Sequence, residues 1–286
     1  MNRWITGARP RTLPAAVVPV AVGAAAAVGE PDEFVAWRVG AALVVSLALQ
    51  VGVNYANDYS DGVRGTDDVR VGPTRLVAGG LASASAVKGA ALSAFGVAAV
   101  AGLAIALSTS LWLLVVGVAA IAAGWFYTGG PKPYGYLGLG EVFVFVFFGL
   151  VATAGTTYAA IESVTALSVV AGCAVGSLAC ALLVINNLRD IPTDREVGKR
   201  TLAVRLGDER TRWFYVALVG GAFVLTVASA VWRVPVLLGL AALPFAVAPV
   251  RSVLGGAVGA ALIPVLGATG RLQLVWGVLV TVGLSI

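Results

Sequence analysis

The sequence contains no histidine, only two cysteines, and few charged residues. Without histidine, catalysis by Ser-His-Asp or Cys-His arrangements is excluded, as are zinc and haem sites with histidine ligands. Cys173 and Cys180 lie in one apolar segment, about 10 Å apart along a helix, which is too far for a disulfide. Charged residues make up 12% of the 286 residues, whereas soluble domains carry about 25%. This composition excludes a soluble fold and, because hydrophobicity is high, a disordered chain.

What the sequence does contain is apolar segments of about 20 residues, repeated along its length, which are typical of a polytopic helical membrane protein. We predict an all-α bundle of about nine transmembrane helices that forms one domain over residues 1–286. The stretch 251–268 is apolar and rich in glycine, so it belongs either to a longer helix or to a broken one. The predicted spans are 13–29, 37–58, 86–107, 110–128, 139–159, 164–187, 211–231, 234–250 and 269–286.

The basic residues are distributed unevenly between the two ends of these spans. If the N-terminus is cytoplasmic, 17 of the 19 lysines and arginines lie on the cytoplasmic side, and only Arg38 and Arg233 lie on the other. An excess of basic residues in cytoplasmic loops is the rule for membrane proteins. We therefore predict a multi-pass protein of the cell membrane with a cytoplasmic N-terminus and cytoplasmic active-site loops at about 54–85 and 186–210. Topology then explains the net charge of +5, and no nucleic-acid partner is expected.

A first polar cluster lies at the predicted end of the second span. Asn54, Asn57, Asp58 and Asp61 are spaced i, i+3, i+4 and i+7, so a helix places them on one face. Two carboxylates stacked on a half-buried face are unfavourable unless a cation lies between them. The spacing therefore indicates a cation site.

A second cluster follows the sixth predicted span. Asn187, Asp190 and Asp194 share one face if the helix continues, but Pro192 leaves a second possibility open. In that alternative, Asp190 ends one helix and Asp194 begins a short cytoplasmic one. Like the first cluster, this one is followed by glycine and basic residues.

The two clusters together predict a site for Mg²⁺ and a diphosphate at the membrane surface. Mg²⁺ prefers oxygen ligands and leaves part of its coordination sphere to substrate phosphate. Nearby basic side chains would neutralise the remaining phosphate charge, and the apolar helices beside the site suit a lipid tail. These basic residues are Arg64, Arg70, Arg75, Lys199 and Arg200.

These motifs resemble those of the UbiA superfamily of intramembrane aromatic prenyltransferases. The sequence Asn57-Asp58-Tyr-Ser-Asp61 matches the family's first motif through its second acid, and Gly65 occupies the position of the final acid. The sequence from Asp190 to Asp194 matches the second motif in full, and Asn187 stands where some members have a further acid.

Within this superfamily, the sequence around these motifs resembles that of the branch that prenylates 1,4-dihydroxy-2-naphthoate in menaquinone synthesis. The resemblance extends from residue 8 to the end of the chain and is carried by several separate segments. These are residues 8–14, 54–67, 127–131, 138–141, 186–190 and 198–202.

The resemblance implies a site that binds two Mg²⁺ ions bridging the diphosphate of a polyprenyl donor. The implied metal ligands are Asn54, Asp58, Asp61, Asp190 and Asp194, and the implied catalytic groups are the four aspartates and Lys199. Substrate contacts are expected from Asn54, Asn57, Arg64, Asp67, Tyr127, Lys132, Asn187 and Arg200. Loss of diphosphate would leave an allylic cation, which the naphthoate ring attacks before it loses CO₂.

Several individual roles stay open at this level. Asp67 or Asp68 is a candidate acceptor for a hydroxyl proton. The ring of Tyr127, Tyr134 or Tyr136 would shelter the cation, although an interfacial aromatic belt explains these residues equally well. Arg9 and Arg11 would contact the carboxylate of the acceptor, but topology explains their charge as well.

Two other classes of membrane protein fit these residues less well. An ion-coupled transporter would carry acids at mid-span, whereas these acids cluster at one membrane face. Asp61-Gly62-Val63-Arg64 superficially resembles the opening of a CDP-alcohol phosphotransferase motif, but the remaining acids of that motif do not follow. Among aromatic acceptors, 4-hydroxybenzoate and homogentisate are the alternatives to the naphthoate.

Overall fold

The computed structural model describes residues 2–66 and 75–286, except for the side chain of Arg11. The regular secondary structure in these ranges is helical throughout, as predicted. The helices are α1 (Arg3–Ala8), α2 (Pro14–Ala27), α3 (Ala36–Arg64), α4 (Ala84–Ser108), α5 (Trp112–Phe126), α6 (Gly140–Ile161), α7 (Ala166–Glu196), α8 (Leu202–Leu206), α9 (Asp208–Ser229), α10 (Val234–Leu254) and α11 (Gly259–Ser285).

Seven of these helices are long and apolar enough to cross a membrane, and α2 and α5 are shorter apolar helices. Within the described ranges this total agrees with the predicted number of about nine. Many large apolar side chains on the outside of the bundle are exposed, for example Val100 on α4 and Val118 on α5. Such a surface is suited to lipid, because the bilayer solvates apolar groups that water would not.

The central element is α7, which packs against α2, α6, α9 and α11. Close approach between α6 and α7 depends on glycines, since a Cβ on Gly149 would lie 2.6 Å from the Cα of Gly176. Small residues at helix contacts are the usual means of packing helices in membranes. The same stretch of α6, Phe145–Val151, is π-helical. Phe147, Phe148 and Val151 in this stretch face the interior of the bundle.

The predicted helix boundaries need three corrections, two of which concern the polar clusters. Helix α3 continues to Arg64 instead of ending at 58, and the left-handed Gly65 (φ 71°) ends it. Helix α7 continues through Pro192 to Glu196 instead of ending at 187. The alternative with two helices around Pro192 is therefore wrong. The predicted loops 54–85 and 186–210 thus begin as helix, which extends beyond the apolar span.

The third correction concerns the predicted last span. Helix α11 begins at Gly259 and not at 269, so most of the ambiguous stretch 251–268 is helical. A short break around Gly256 (φ 83°) separates α10 from α11.

The two basic residues predicted on the opposite side both pair with acids. Arg38 donates to Glu162 at 2.7 Å, and Arg233 lies 3.9 Å from Glu30. Arg38 stands 23 residues before Asp61 on α3, which places it about 34 Å away along the helix axis. The charged groups therefore fall into two layers, one at each end of the bundle.

Candidate active site

A cavity of about 1450 Å³ lies inside the bundle between the N-terminal segment and helices α3, α4, α5, α6, α7 and α11. One end is polar and includes carboxylates, amides and a lysine from both predicted clusters. The other end is apolar and continues along α5 and α6. Cluster residues that line the polar end are Asn54, Asn57, Asp58, Asp61, Asn186, Asn187, Asp190, Asp194 and Lys199.

Asp61 connects the two clusters. Its Oδ1 accepts a hydrogen bond from the Tyr136 hydroxyl at 2.7 Å and lies 3.4 Å from the Lys199 ammonium. The side chain is buried, so the pair interacts in an environment of low dielectric constant, where charge pairing is strong. Lys199 and Asp61 are 138 residues apart in sequence.

Lys199 lies in the turn after α7 and is nine-tenths buried. Its backbone N–H donates to the Asp194 carbonyl at 2.8 Å, which closes the turn. Burial alone would lower the pKa of Lys199, but Asp61, Tyr136 and Asp194 outweigh it and raise the pKa above the ordinary value of 10.5. The ammonium also lies 4.7 Å from the centre of the Tyr136 ring. Lys199 is therefore a fixed positive charge at the wall of the cavity.

The second cluster contains an ion pair between adjacent residues. Arg189 donates from Nε to Oδ1 of Asp190 at 2.6 Å and from Nη2 to Oδ2 at 2.7 Å. Both side chains are buried and line the cavity. A two-point guanidinium–carboxylate contact is strong and directional. Arg189 thus adds a second buried cation to the polar end.

The amide of Asn187 is oriented by an acid from α6. Its Nδ2 donates to Oε1 of Glu141 at 2.8 Å. Glu141 is itself buried, and it lies in the first turn of α6, where an acid interacts favourably with the helix dipole. Because the amide nitrogen points to Glu141, the oxygen of Asn187 is left for the cavity.

Two members of the first cluster hold neighbouring segments in place. Both carboxylate oxygens of Asp58 accept backbone N–H groups, from Leu76 at 2.9 Å and Val77 at 3.0 Å. The amide of Asn54 donates to the Ala8 carbonyl at 2.9 Å and to the Thr12 hydroxyl at 3.1 Å. Both side chains also border the cavity. Asp58 thus holds the segment at Leu76 and Val77, and Asn54 holds the segment from Ala8 to Thr12, next to the cavity.

An aromatic row leads from the polar end into the apolar end. Tyr127 meets Tyr134 edge-to-face, Tyr134 stacks on Phe143 with centroids 4.0 Å apart, and Phe143 stacks on Phe147. Burial, reinforced by the negative charges of Glu141, Asp61 and Asp194, raises the pKa of Tyr127 well above its ordinary value. Tyr127 therefore remains a neutral phenol within a negative field, which favours a cation beside its ring.

Three of the predicted basic contacts do not line the cavity. The Arg64 guanidinium donates to the Thr128 and Gly130 carbonyls and holds that loop. Lys132 and Arg200 are exposed on the surface. Asp67, Asp68 and Arg70, and the side chain of Arg11, lie outside the described residues.

The donor set suits a magnesium ion only when a further ligand completes it. Within residues 2–66 and 75–286, no three acidic or cysteine side chains converge closely enough to hold a metal ion by themselves. Asn57, Asp61, Asp190 and Asp194, which carry side-chain oxygens, nevertheless border one cavity from two helices. Oxygen-only donors that leave several positions open are what Mg²⁺ uses when it binds a substrate phosphate.

The sequence profile described as the UbiA prenyltransferase family matches residues 16–256 of this chain. The chain belongs to the UbiA prenyltransferase family. A 1,4-dihydroxy-2-naphthoate octaprenyltransferase from Mycobacterium tuberculosis is 50% identical over 99% of this chain and 97% of its own length. The predicted family is therefore confirmed, and the transporter and CDP-alcohol phosphotransferase alternatives are set aside.

Solved structures of this family share the fold. The apo structure of a UbiA homologue from Aeropyrum pernix superposes with a TM-score of 0.76 at 16% identity, covering 96% of this chain and 98% of that one. A UbiA homologue from Archaeoglobus fulgidus, bound to DMAPP and Mg²⁺, superposes with a TM-score of 0.62 at 16% identity, covering 98% and 100% of the two chains. The bundle is therefore a UbiA fold.

Two residues of this UbiA-family site were not predicted as functional. Arg189 is one of the 17 basic residues that the charge distribution places on the cytoplasmic side, and Glu141 lies near the start of the predicted span 139–159. The usable signal in the sequence was an arginine directly beside a motif acid at the end of an apolar segment, because an arginine that becomes buried is almost always paired. The role of Glu141 depends on its contact with Asn187 across two helices, which no local pattern reveals.

Proposed function

We propose that this UbiA-family prenyltransferase moves a polyprenyl group from polyprenyl diphosphate to 1,4-dihydroxy-2-naphthoate. The observation that carries the proposal is the single cavity, in which a cluster of acids and buried cations opens directly onto an apolar, aromatic-lined chamber. A diphosphate fits the first part and a prenyl chain fits the second. The acceptor is inferred from the relative that shares half of its residues with this chain.

The diphosphate is proposed to bind at the polar end. The residues that would hold two Mg²⁺ ions beside the diphosphate are Asp61, Asp190 and Asp194, together with the side-chain oxygens of Asn57 and Asn187. Asn54 and Asp58 would support the part of the cavity wall that these residues form. When bound, Mg²⁺ neutralises the charge that develops on the leaving diphosphate. Lys199 and Arg189 add fixed positive charges at the same place, and because they are positioned before reaction, little reorganisation is needed.

In the proposed reaction the C1–O bond of the donor breaks and its electron pair leaves with the diphosphate. The allylic cation that results lies beside Tyr127. The ring carbon of the naphthoate that bears the carboxylate supplies the pair for the new C–C bond. Loss of CO₂ and a proton shift then restore the aromatic ring, so the products are demethylmenaquinol, CO₂ and diphosphate. Arg9 lines the same cavity near the Asn54 carbonyl and is the proposed contact for the acceptor carboxylate.

We further propose that the polar end faces the cytoplasm and that residues 1–286 act as one transmembrane domain in the plasma membrane. The charge asymmetry supports this orientation, since basic residues predominate at the end of the bundle that contains Asp61 and Lys199. A water-soluble naphthoate would then reach the site from the cytoplasm.

The function is tested with purified protein in vesicles, a labelled polyprenyl diphosphate and 1,4-dihydroxy-2-naphthoate carrying ¹⁴C in its carboxylate. We expect prenylated naphthol and labelled CO₂ in equal amounts. Transfer only to 4-hydroxybenzoate or homogentisate would contradict the proposed acceptor. Absence of transfer to all three acceptors would contradict the function itself.

We expect Mg²⁺ to bind tightly only together with a diphosphate, because the protein oxygens alone leave several coordination positions open. In a thermal unfolding assay, Mg²⁺ with an unreactive polyprenyl thiodiphosphate should raise the melting temperature more than the sum of the two separate effects. Ca²⁺ in place of Mg²⁺ is the control. A full increase with Mg²⁺ alone would show that the protein forms a complete metal site by itself.

A further inference from the structure

Helix α11 carries a single charged residue, Arg271, and this residue lines the cavity. It stands 12 residues after Gly259, the first residue of α11, which corresponds to about 18 Å along the helix axis. Because α11 begins earlier than predicted, Arg271 lies within the helix and not at its start. Its side chain is exposed, and within residues 2–66 and 75–286 it makes no hydrogen bond or ion pair. An arginine inside a membrane-spanning helix is unfavourable and therefore indicates a function.

The surroundings of Gly270 show how deep in the bundle Arg271 is attached. A Cβ added to Gly270 would lie 3.8 Å from Cδ2 of Leu182 on α7. Leu182 stands eight residues before Asp190 on that helix, which is about 12 Å along its axis. Arg271 is thus attached to α11 on the apolar side of the carboxylates, and an arginine side chain is long enough to cover part of the distance to them.

A second arginine lines the same cavity from the N-terminal segment. Arg9 follows α1 in a left-handed backbone conformation (φ 53°, ψ 70°), at a helix end where glycine is usual. Its Nη2 donates to the Asn54 carbonyl at 3.3 Å. Helix α11 packs against the turn Pro10–Thr12, which follows Arg9 directly. Arg9 and Arg271 therefore reach the cavity from neighbouring elements.

The proposed reaction requires positive charge close to the reacting carbon. The ring carbon that attacks the donor also bears the carboxylate, so this carboxylate must come near the departing diphosphate. Two anions this close repel each other unless a cation lies beside them. The buried cations Lys199 and Arg189 already pair with motif acids. Arg271 has no such partner among the described residues, so its charge is available to a substrate.

We propose that Arg271, together with Arg9, binds the carboxylate of the aromatic acceptor and so selects acceptors that carry one. This inference rests on the proposed function, since it concerns the acceptor of that reaction. A guanidinium group presents paired N–H donors that match a carboxylate, and the acceptor ring would lie against the aromatic row that begins at Tyr127. Because the carboxylate is lost as CO₂ after the C–C bond forms, the contact acts mainly on binding of the acceptor.

Replacing Arg271 by methionine tests the proposal, since methionine keeps an unbranched side chain and removes the charge. We expect KM for 1,4-dihydroxy-2-naphthoate to rise at least tenfold, while kcat and KM for the prenyl donor stay within threefold of the wild type, which is the kinetic pattern of a lost binding contact. Arg271→Lys should recover part of the affinity, because the charge returns without the paired donors. Arg251→Met is the matched control and should leave all three constants unchanged, since Arg251 is an exposed arginine near the end of α10, outside the cavity.

A binding measurement gives a readout that does not depend on turnover. The protein, in phosphatidylcholine vesicles with Mg²⁺ and an unreactive polyprenyl thiodiphosphate, is titrated under reducing conditions with 1,4-dihydroxy-2-naphthoate or with 1,4-dihydroxynaphthalene, which lacks the carboxylate. We expect the wild type and Arg251→Met to bind the naphthoate at least tenfold more tightly than the naphthalenediol. In Arg271→Met this preference should fall below threefold.

Three results would overturn the proposal. An unchanged preference in Arg271→Met, or no preference in the wild type, would show that Arg271 does not bind the carboxylate. An equal loss of affinity for both ligands would show that Arg271 only shapes the cavity. A change in preference that appears only in vesicles containing phosphatidylglycerol would assign Arg271 to a lipid phosphate. If the wild type shows the expected preference but prenylates no aromatic acceptor, the proposed function fails while the carboxylate site stands.

Discussion

Replacement of Asp61 by asparagine is expected to lower kcat/KM for prenyl transfer by about a thousandfold, within the range for loss of a key electrostatic group. Asp61 is the carboxylate that joins α3 to the turn after α7, through Tyr136 and Lys199. Asparagine keeps the shape but removes the negative charge that pairs with Lys199 and that the proposed Mg²⁺ ions would require. The measurement is transfer of a labelled prenyl group in vesicles, with the melting temperature recorded for the same preparation.

The matched control for this variant is Asp208→Asn. Asp208 also pairs with a basic side chain, Arg212, but lies on α9 outside the cavity. Asp208→Asn should retain wild-type activity.

Because removal of the Asp61 carboxylate leaves Lys199 buried with one partner fewer, the Asp61→Asn variant will lose some stability as well. The double variant Asp61→Asn/Lys199→Met removes both charges and should recover stability without recovering activity. Activity above one tenth of wild type in Asp61→Asn would contradict the assigned role.

Replacement of Lys199 by methionine is expected to lower kcat/KM by about a hundredfold, because a fixed positive charge near the leaving group is lost. Methionine has nearly the same length and no charge, so the turn after α7 should be kept. If Lys199 holds the diphosphate in the ground state, its loss raises KM for the donor, and if the contact is stronger in the transition state, its loss also lowers kcat. Steady-state kinetics with varied donor concentration separate the two effects.

Lys132→Met is the control for Lys199→Met. Lys132 was also predicted as a substrate contact, but it is exposed and does not line the cavity. Its variant should stay within twofold of wild type. Lys199→Arg should recover part of the activity, since the charge is restored with a different geometry. The assignment would be wrong if Lys132→Met lost more activity than Lys199→Met.

Several features followed from local sequence alone. A run of about 20 apolar residues must be a helix in a bilayer, because each backbone polar group needs a partner within its own segment. The approximate number of membrane-spanning helices was therefore predictable, and the uneven distribution of lysine and arginine indicated which end of the bundle carries most charge. The spacing of Asn54, Asn57, Asp58 and Asp61 placed them on one helical face, and α3 does continue through all four.

The helix ends were less predictable, because hydropathy reports where a segment leaves the membrane and not where its backbone stops being helical. Helix α7 continues beyond its apolar part to Glu196, even across Pro192. This continuation brings Asp190 and Asp194 to the cavity on one rigid element. The family resemblance identified the motif but could not show that a single helix carries it.

Sequence by itself determined the class of protein, its family and the residue types of the site, because hydropathy, helical periodicity and the sequences of short motifs are local properties. Only the tertiary structure decided which contacts each of several similar side chains makes. Asp58 and Asp61 stand three residues apart, yet one holds the backbone of Leu76 and Val77 and the other meets Lys199. Arg64 holds a loop, whereas Arg189 enters the cavity. These differences depend on which distant segment packs against each side chain, and no local spacing encodes such contacts.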